Sequence, residues 1–162
     1  MTKKRTLIAL SIAAVLVIFC LWYTRPRTFE DLLDGRTITD FAASGCKFSI
    51  RNGIPHADAF SIDCKQQGSQ VIDDMAELMA DSRYRVQLRS LLPLPSLYRE
   101  DENTSSASVN MSLVLDDGSP LFIIYLGNQV HFYGDSTFIA TAVEDQTAEL
   151  LFSYLSENGV RG

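Results

Sequence analysis

The chain has 162 residues, of which 46% are hydrophobic, and its formal net charge is −6 at pH 7. This length suits one domain with a sizeable core together with a short additional segment. The acidic balance disfavours a general nucleic-acid binder, which needs a basic surface, so we predict no nucleic-acid partner.

The first element is an unbroken apolar run from Leu7 to Tyr23, LIALSIAAVLVIFCLWY, with basic residues on both sides. As a helix it is roughly 26 Å long, slightly shorter than the ~30 Å hydrocarbon core of a bilayer. We therefore predict a stub over residues 1–5 and a transmembrane signal anchor over residues 6–23. A cleaved signal peptide is one alternative, although no small-residue cleavage site follows the run. A buried helix of a soluble protein is another.

The predicted location is the plasma membrane, as a single-pass protein with its N-terminus inside and its C-terminal domain outside. Three basic residues precede the apolar run and two follow it closely, so the positive-inside bias is small. The orientation depends mainly on the long C-terminal domain, which can translocate largely regardless of its own charge.

A juxtamembrane linker is predicted over residues 24–36, and one extracytoplasmic domain over residues 37–162. Pro26 disfavours continuation of the apolar helix. The sequence FEDLL, Phe29–Leu33, has the pattern of one amphipathic turn, and Gly35 would end it. The domain then begins with a predicted strand over residues 37–43.

Two cysteines of the predicted domain, Cys46 and Cys64, lie in segments that predict a hairpin around Asn52, Gly53 and Pro55. Pairing the two strands symmetrically about Pro55 places the cysteines opposite each other. An even pair of cysteines outside the cytosol favours a disulfide. The alternative is two buried free thiols.

A helix and a strand are predicted between residues 69 and 89. The helix begins near Ser69, because apolar residues recur at helical spacing: Val71, Ile72, Met75, Leu78 and Met79. In the strand, apolar and polar residues alternate, which indicates one buried face. That face carries Tyr84, Val86 and Leu88, and the polar face carries Arg83, Arg85 and Arg89.

The row of arginines is a candidate binding site, because three guanidinium groups on one face could bind a carboxylate, a phosphate or an acidic partner. A solvated face balanced by nearby acids is the alternative. A second candidate is the segment 91–98, LLPLPSLY, whose prolines favour an extended conformation. Exposed apolar loop residues can anchor a partner, and here they are Leu94, Leu97 and Tyr98. A loop folded over the core is the alternative for this segment.

Short strands separated by tight turns predict an antiparallel meander after residue 107. Residues 108–115 alternate strictly, and Asp117-Gly118 supplies a two-residue hairpin turn. Residues 121–126 are apolar on both parities, as expected of a central strand covered on both faces. Two further strands are predicted over 129–133 and around 138–140.

The last predicted element is a helix over residues 142–157, with Thr141 and Glu144 as a capping box. Its buried stripe would be Ala148, Leu151, Phe152 and Leu155. Together these elements predict an α+β domain, in which a meander of four or more strands carries two helices against one face.

The FEDLL turn after the apolar run and the helix–strand–DDG-hairpin–helix order resemble small membrane-anchored extracytoplasmic α+β proteins of Gram-positive bacteria. These proteins are single-pass and have no assigned function. The resemblance therefore implies a layout and no functional residue.

Several common chemistries have no signature in the sequence. A nucleophile needs an adjacent base, and we find no G-x-S-x-G motif, phosphate loop or dinucleotide fingerprint. A zinc site built from His56, His131 and both cysteines would lack the usual short ligand spacing. We therefore predict no catalytic residues, no metal and no cofactor.

These observations favour a membrane-anchored module that binds or regulates another protein and that is not an enzyme. One alternative is a sensor of a small ligand or anion that uses the open face of the sheet. Another is a surface enzyme with an unfamiliar site.

Overall fold

The computed structural model describes residues 2–91, 107–135, 137–143 and 146–162. The helices in these ranges are α1 (Thr2–Tyr23), α2 (Phe29–Leu33), α3 (Cys64–Gln67), α4 (Gln70–Ala80) and α5 (Thr147–Asn158). The strands are β1 (Pro26–Thr28), β2 (Ile38–Arg51), β3 (Ile54–Asp63), β4 (Arg83–Val86), β5 (Ser108–Leu115), β6 (Pro120–Leu126), β7 (Gln129–Tyr133), β8 (Thr137–Ala142) and β9 (Val160–Arg161). A 3₁₀ turn, Leu88–Leu91, follows β4.

The nine strands form one antiparallel sheet in the order β1-β4-β8-β7-β6-β5-β2-β3-β9. This arrangement confirms the predicted α+β class, and it contains the predicted meander as β5 to β8. The sheet ends in very short strands, β1 and β9, which were not predicted. Short edge strands limit the backbone that is open to pairing with another chain.

One face of the sheet is covered by helices, and the core lies between the two layers. Helix α5 packs on β2, β3 and β5, while α4 packs on β2 and on α5. The alternation predicted for β5 is confirmed, since each of its core residues is at most 2% exposed: Val109, Met111, Leu113 and Leu115. The predicted stripe of α5 is also buried. Gly45 permits this packing, because a Cβ there would lie 2.8 Å from Leu155 Cδ1.

Tyr84 on β4 and Tyr125 on β6 form a pair of polar side chains within the core. Both residues are 0% exposed, and their hydroxyl oxygens are 2.6 Å apart. Burial, followed by the neighbouring Tyr84 hydroxyl, raises the pKa of Tyr125 well above its usual value. Tyr125 therefore stays neutral and hydrogen-bonded to Tyr84 inside an apolar layer.

The predicted register of the first hairpin is wrong, and with it the predicted disulfide. The turn is centred on Asn52 and Gly53, whose φ values of 54° and 76° suit a two-residue turn of type I′. Cys46 therefore pairs with Ala59. Cys64 instead begins α3, where its Sγ accepts a hydrogen bond from the Phe41 N–H at 3.3 Å. Cys46 is roughly 17 Å further along the strand, so both cysteines are free thiols.

Three other predictions need correction at the ends or faces of elements. Strand β8 continues to Ala142, and Thr141 pairs with Gln129, so Thr141 does not cap a helix; α5 begins later, at Thr147. Leu88 lies in the 3₁₀ turn and is 43% exposed, not part of a buried strand face. Strand β6 is central, but among the described residues only one of its faces is covered by helices, and Phe122 on the other face is 47% exposed.

Residues 24–36, predicted as a linker, contain β1 and α2. Strand β1 pairs with β4, and α2 buries Phe29 and Leu33 in the core. The predicted turn over FEDLL is confirmed as α2. Thr28 and Asp31 form its capping box.

Helix α1 has a different environment from the rest of the chain. Its large apolar side chains from Leu7 to Trp22 are between 45% and 67% exposed, and they occur on all sides of the helix. Among the described residues, no helix combines the length and the apolar character needed to cross a membrane.

Candidate functional site

We call the face of the sheet opposite α4 and α5 the open face; helix α3 reaches it beside β3, where Gln66 and Gln67 line a trough. The open face is built from the residues that alternate with the core positions. On β5, for example, Asn110 and Ser112 lie on the open face, while Met111 between them is buried. The alternation that forms the core therefore also determines which side chains reach this surface.

A trough of about 730 Å³ crosses the open face from β3 to β7. The strand register brings its lining together in two rows. In the first, Ser61 pairs with Ser44, Ser44 with Asn110, and Asn110 with Ile124. In the second, the order across the strands is Asp63, Ala42, Ser112, Phe122 and Tyr133. The β3–β2–β5 half of the trough is consequently small and polar, and the β6–β7 half is bulky and apolar.

The polar half of the trough contains side-chain hydroxyl and amide groups that form no hydrogen bond with other described residues. Within the described ranges, no hydrogen bond engages the side chains of Ser44, Ser61, Asn110 or Ser112. Each hydroxyl can donate and accept, and the amide can do both. These groups are therefore available to solvent or to a ligand.

The open face carries exposed apolar side chains at two separate places. In the apolar half of the trough, Tyr133 is 39% exposed, and its ring stacks on His131 with 6.2 Å between centroids. The second place is roughly 20 Å further along β2 from the row that contains Phe122. There, among the described strands, β5 pairs with β2 only as far as Cys46, so β2 and β3 extend beyond β5 as a two-stranded ribbon. On the open-face parity of this ribbon, Phe48 is 64% and Ile50 is 78% exposed. Contiguous exposed apolar side chains of this kind mark interaction sites.

The trough and the ribbon were not predicted as a site. The apolar residues of segment 46–50 are visible in the sequence, and their even spacing from Ser44 places them on its face, but their exposure depends on where β5 begins. A usable signal for the ribbon is Asn52-Gly53, which is the strongest short-range indication of a two-residue hairpin. Centring the hairpin there pairs Phe48 with Ala57 and Ile50 with Pro55, as in the structure.

The predicted arginine row is only partly assembled. Arg83 and Arg85 lie on the exposed parity of β4, as predicted. The strand ends at Val86, and Arg89 lies in the 3₁₀ turn, so three arginines do not share one strand face. The trough is elsewhere on the sheet and its lining contains Asp63 and no arginine or lysine, which makes it unsuitable for an anion. Leu94, Leu97 and Tyr98 lie outside the described residues.

One group of side chains near β2 has donor atoms that could hold a metal ion. A thiol and two carboxylates, from Cys64, Asp40 and Asp63, lie within 4.8 Å of one another. However, Lys65 Nζ is 2.5 Å from Asp40 Oδ2 and already supplies a positive charge. Burial, and then the hydrogen bond to Asp40, raises the pKa of the Cys64 thiol, which favours the protonated form that binds metals poorly. The group is better described as a hydrogen-bonded junction between β2 and α3.

The histidines considered for a zinc site are not brought together. His56 is on β3, opposite Ser49, and His131 is on β7. Strands β2, β5 and β6 lie between them, which corresponds to roughly 19 Å across the sheet. A site using both histidines is therefore excluded in this fold.

Comparison with known proteins yields no relative: no protein-family model, no curated protein and no solved structure matches this chain. The resemblance to membrane-anchored proteins of Gram-positive bacteria stays a prediction.

Proposed function

We propose that this chain is a protein-interaction module that α1 attaches to a membrane and that binds its partner through the open face. The observation that carries the proposal is that the open face exposes large apolar side chains at two places: Phe122 and Tyr133 in the trough, and Phe48 with Ile50 on the ribbon. Aromatic residues are typical anchors of protein interfaces. The absence of any catalytic signature in the sequence agrees with a binding role.

Attachment by α1 is supported by the apolar side chains on all sides of that helix. A helix that is hydrophobic all round is stable when it is buried in protein or in lipid. Its apolar run is short for a full span, so the flanking lysines and arginines would have to snorkel or the bilayer would have to thin locally. The orientation that we propose has the N-terminus inside and the domain outside.

Membrane attachment can be tested with one charge placed in α1. Val15→Lys should move the full-length chain from the pellet to the supernatant in alkaline carbonate extraction, because a central lysine opposes insertion by about 2.5–3.5 kcal/mol. Val160→Lys is the matched control, since Val160 is an exposed residue of the domain. Protease added to intact spheroplasts should digest the domain of the unaltered chain. An extractable unaltered chain would disprove attachment, and a protected domain would disprove the orientation.

The binding surface can be tested by site-specific photo-crosslinking in membranes. A crosslinker at position 122 or 48 should give an adduct of discrete mass, whereas a crosslinker at Ser156, which is exposed on α5 and lines neither the trough nor the groove between α4 and α5, should not. Ile50→Ser should weaken the adduct formed from position 48, because it removes neighbouring apolar contact area on the same face of β2. Equal adducts from position 156, or no adduct from the open face, would contradict the proposal.

A second candidate function is binding of a small neutral ligand in the trough. The unused hydroxyl and amide groups on β2, β3 and β5, facing the apolar wall of Phe122 and Ile124, are the observation that favours it. Pockets of this size with a few convergent polar groups commonly bind small molecules. Saturation-transfer NMR against a panel of neutral sugars tests this function, with Asn110→Leu as the variant that should abolish the signal. A signal that survives Asn110→Leu would place binding elsewhere.

A further inference from the structure

Helices α4 and α5 form an open groove on the side of the domain away from the open face. The groove has a volume of about 800 Å³. On α4 its wall includes Asp74, Glu77 and Leu78, which recur at helical spacing. On α5 its wall includes Leu150 and Tyr154, one turn apart. Each helix thus presents one continuous stripe to the same channel.

The groove combines apolar surface with negative charge. Leu150 is 51% exposed, and Leu78 and Tyr154 are partly buried beside it. Three carboxylates line the groove, from Asp74, Glu77 and Asp81, and its lining contains no lysine or arginine. A partner for this surface must therefore be apolar along one line and basic beside it.

Asp74 is held in place by two hydrogen bonds. Its Oδ1 accepts from Gln70 Nε2 at 2.9 Å, and its Oδ2 accepts from the Tyr154 hydroxyl at 2.7 Å. Both bonds lower the pKa of Asp74, and the bond from Gln70 has the larger effect. The carboxylate of Asp74 is therefore charged at neutral pH. One of the groove's three negative charges is thus fixed before any partner binds, which reduces the ordering that binding requires.

The spacing of the acids favours an extended partner over a metal ion. Among the described residues, Asp74, Glu77 and Asp81 do not form a group with converging ligand atoms. Instead they extend from residue 74 to residue 81, which is about 10 Å, or two turns, along a helix axis. Basic residues at i, i+4 and i+7 of a second helix have the same spacing.

We propose that the groove between α4 and α5 binds a basic amphipathic helix of a partner protein. Its apolar stripe would pack on Leu78, Leu150 and the ring of Tyr154, in the manner of a helix bound in a groove. Its lysines or arginines would face Asp74, Glu77 and Asp81. The groove is separate from the open face. An experiment can therefore disprove helix binding in the groove without disproving partner binding on the open face, and the reverse.

The test uses the full chain in detergent micelles and a fluorescent leucine–lysine peptide of about 14 residues, long enough to form a marginal helix. Leucines at i, i+3, i+4 and i+7 form its apolar stripe, and a scrambled peptide of the same composition has no stripe. Fluorescence anisotropy is measured against empty micelles. The patterned peptide should bind about tenfold more tightly than the scrambled one, and salt should weaken its binding.

Paired variants locate the binding site. Glu77→Gln with Asp81→Asn should weaken binding by about fivefold to tenfold, because it removes two of the three groove charges. The matched control is Asp73→Asn with Glu157→Gln, which removes two charges from the same helices outside the groove lining. Leu150→Asp should abolish binding, and far-UV circular dichroism checks that this variant is folded; if it is unfolded, Leu150→Gln replaces it.

Three results would overturn the proposal: equal binding of the scrambled peptide, equal weakening by the control pair, or full affinity of a folded Leu150 variant. Phe122→Ser serves as a separate control. It should leave peptide binding unchanged, because Phe122 lies on the open face.

Discussion

The two faces of the sheet are made by alternate residues of the same strands, yet they differ in size, polarity and exposure. On β5, Leu113 is 0% exposed beneath the helices, whereas Ser112 beside it lies in the trough. Across β2 the pattern repeats, with Ala43 buried and Ser44 exposed. The covered face therefore carries the stability of the fold, and the open face is free to carry a binding function. Substitutions placed on one face or the other can measure this division.

The largest expected loss of folding stability comes from a substitution on the covered face. Leu113→Ala should lower the free energy of unfolding by about 2–5 kcal/mol, because it leaves a cavity in the core. Ser112→Ala, one residue away on the open face, should change it by less than about 0.5 kcal/mol. Urea midpoints at unchanged slope provide the measurement. Similar losses for the two variants would mean that the open face is also buried.

A smaller loss is expected from the polar pair in the core. Tyr84→Phe should cost about 1–3 kcal/mol, because it leaves the buried Tyr125 hydroxyl without the bond it makes to Tyr84. The double variant Tyr84→Phe with Tyr125→Phe should cost less than the sum of the two single variants, since both partners are then removed. Additive losses in a double-mutant cycle would show that the two hydroxyls do not depend on each other.

The groove on the covered side predicts a pH effect. Burial, followed by the hydrogen bond to Asp74, raises the pKa of Tyr154 to about 12. This folded-state pKa exceeds the unfolded value of about 10. The neutral phenol therefore contributes fully to the free energy of unfolding below about pH 10, and this contribution is lost as the pH rises to about 12. Tyr154→Phe should therefore flatten the loss of stability in this alkaline range.

Absorbance titration of the phenolates gives an independent measurement of the same group. The difference between the parent chain and Tyr154→Phe should titrate near pH 12. Asp74→Asn should lower the pH of that transition only part of the way towards 10, because burial is a larger cause of the raised Tyr154 pKa than the hydrogen bond to Asp74. A transition near pH 10 in the parent chain would show that the groove is fully hydrated.

The smallest expected effect is at Arg85, on the exposed parity of β4. Arg85→Ala should change the free energy of unfolding by less than about 0.5 kcal/mol, as is usual for exposed side chains. A thermal or urea denaturation series that includes Leu113→Ala gives the scale. A loss as large as that of Leu113→Ala would place Arg85 in a buried polar network and contradict the division between the two faces.

Periodicity in the sequence was sufficient to predict most elements of this fold. The alternation in β5 predicted its buried face, and the helical spacing from Val71 to Met79 predicted α4. These predictions succeed because side-chain direction is a local property of the backbone, with a period of two in strands and 3.6 in helices. The same argument separated Arg83 and Arg85 from Tyr84 before any tertiary contact was known.

Two of the predictions that failed have different causes. Symmetric pairing about Pro55 predicts the wrong register, because the positive φ values of Asn52 and Gly53 place the turn there and separate the two cysteines; a one-residue signal at Pro55 is weaker than the Asn-Gly turn signal beside it. Thr141 has the chemistry of a helix cap, but its pairing with Gln129 extends β8 through it. In the second case strand pairing overrides a local signal, because a strand register is set along its whole length.

The candidate sites belong almost entirely to tertiary structure. Local sequence determined that Phe122 lies opposite the core residues of β6, but not whether a second layer would cover it. The trough joins Ser44, Ser61, Asn110 and Tyr133, which are far apart in the chain and meet only through the strand order. Likewise, the acids of α4 are an ordinary polar stripe until α5 packs beside them and forms the second wall of the groove. Burial and convergence are properties of packed layers, and no local pattern encodes them.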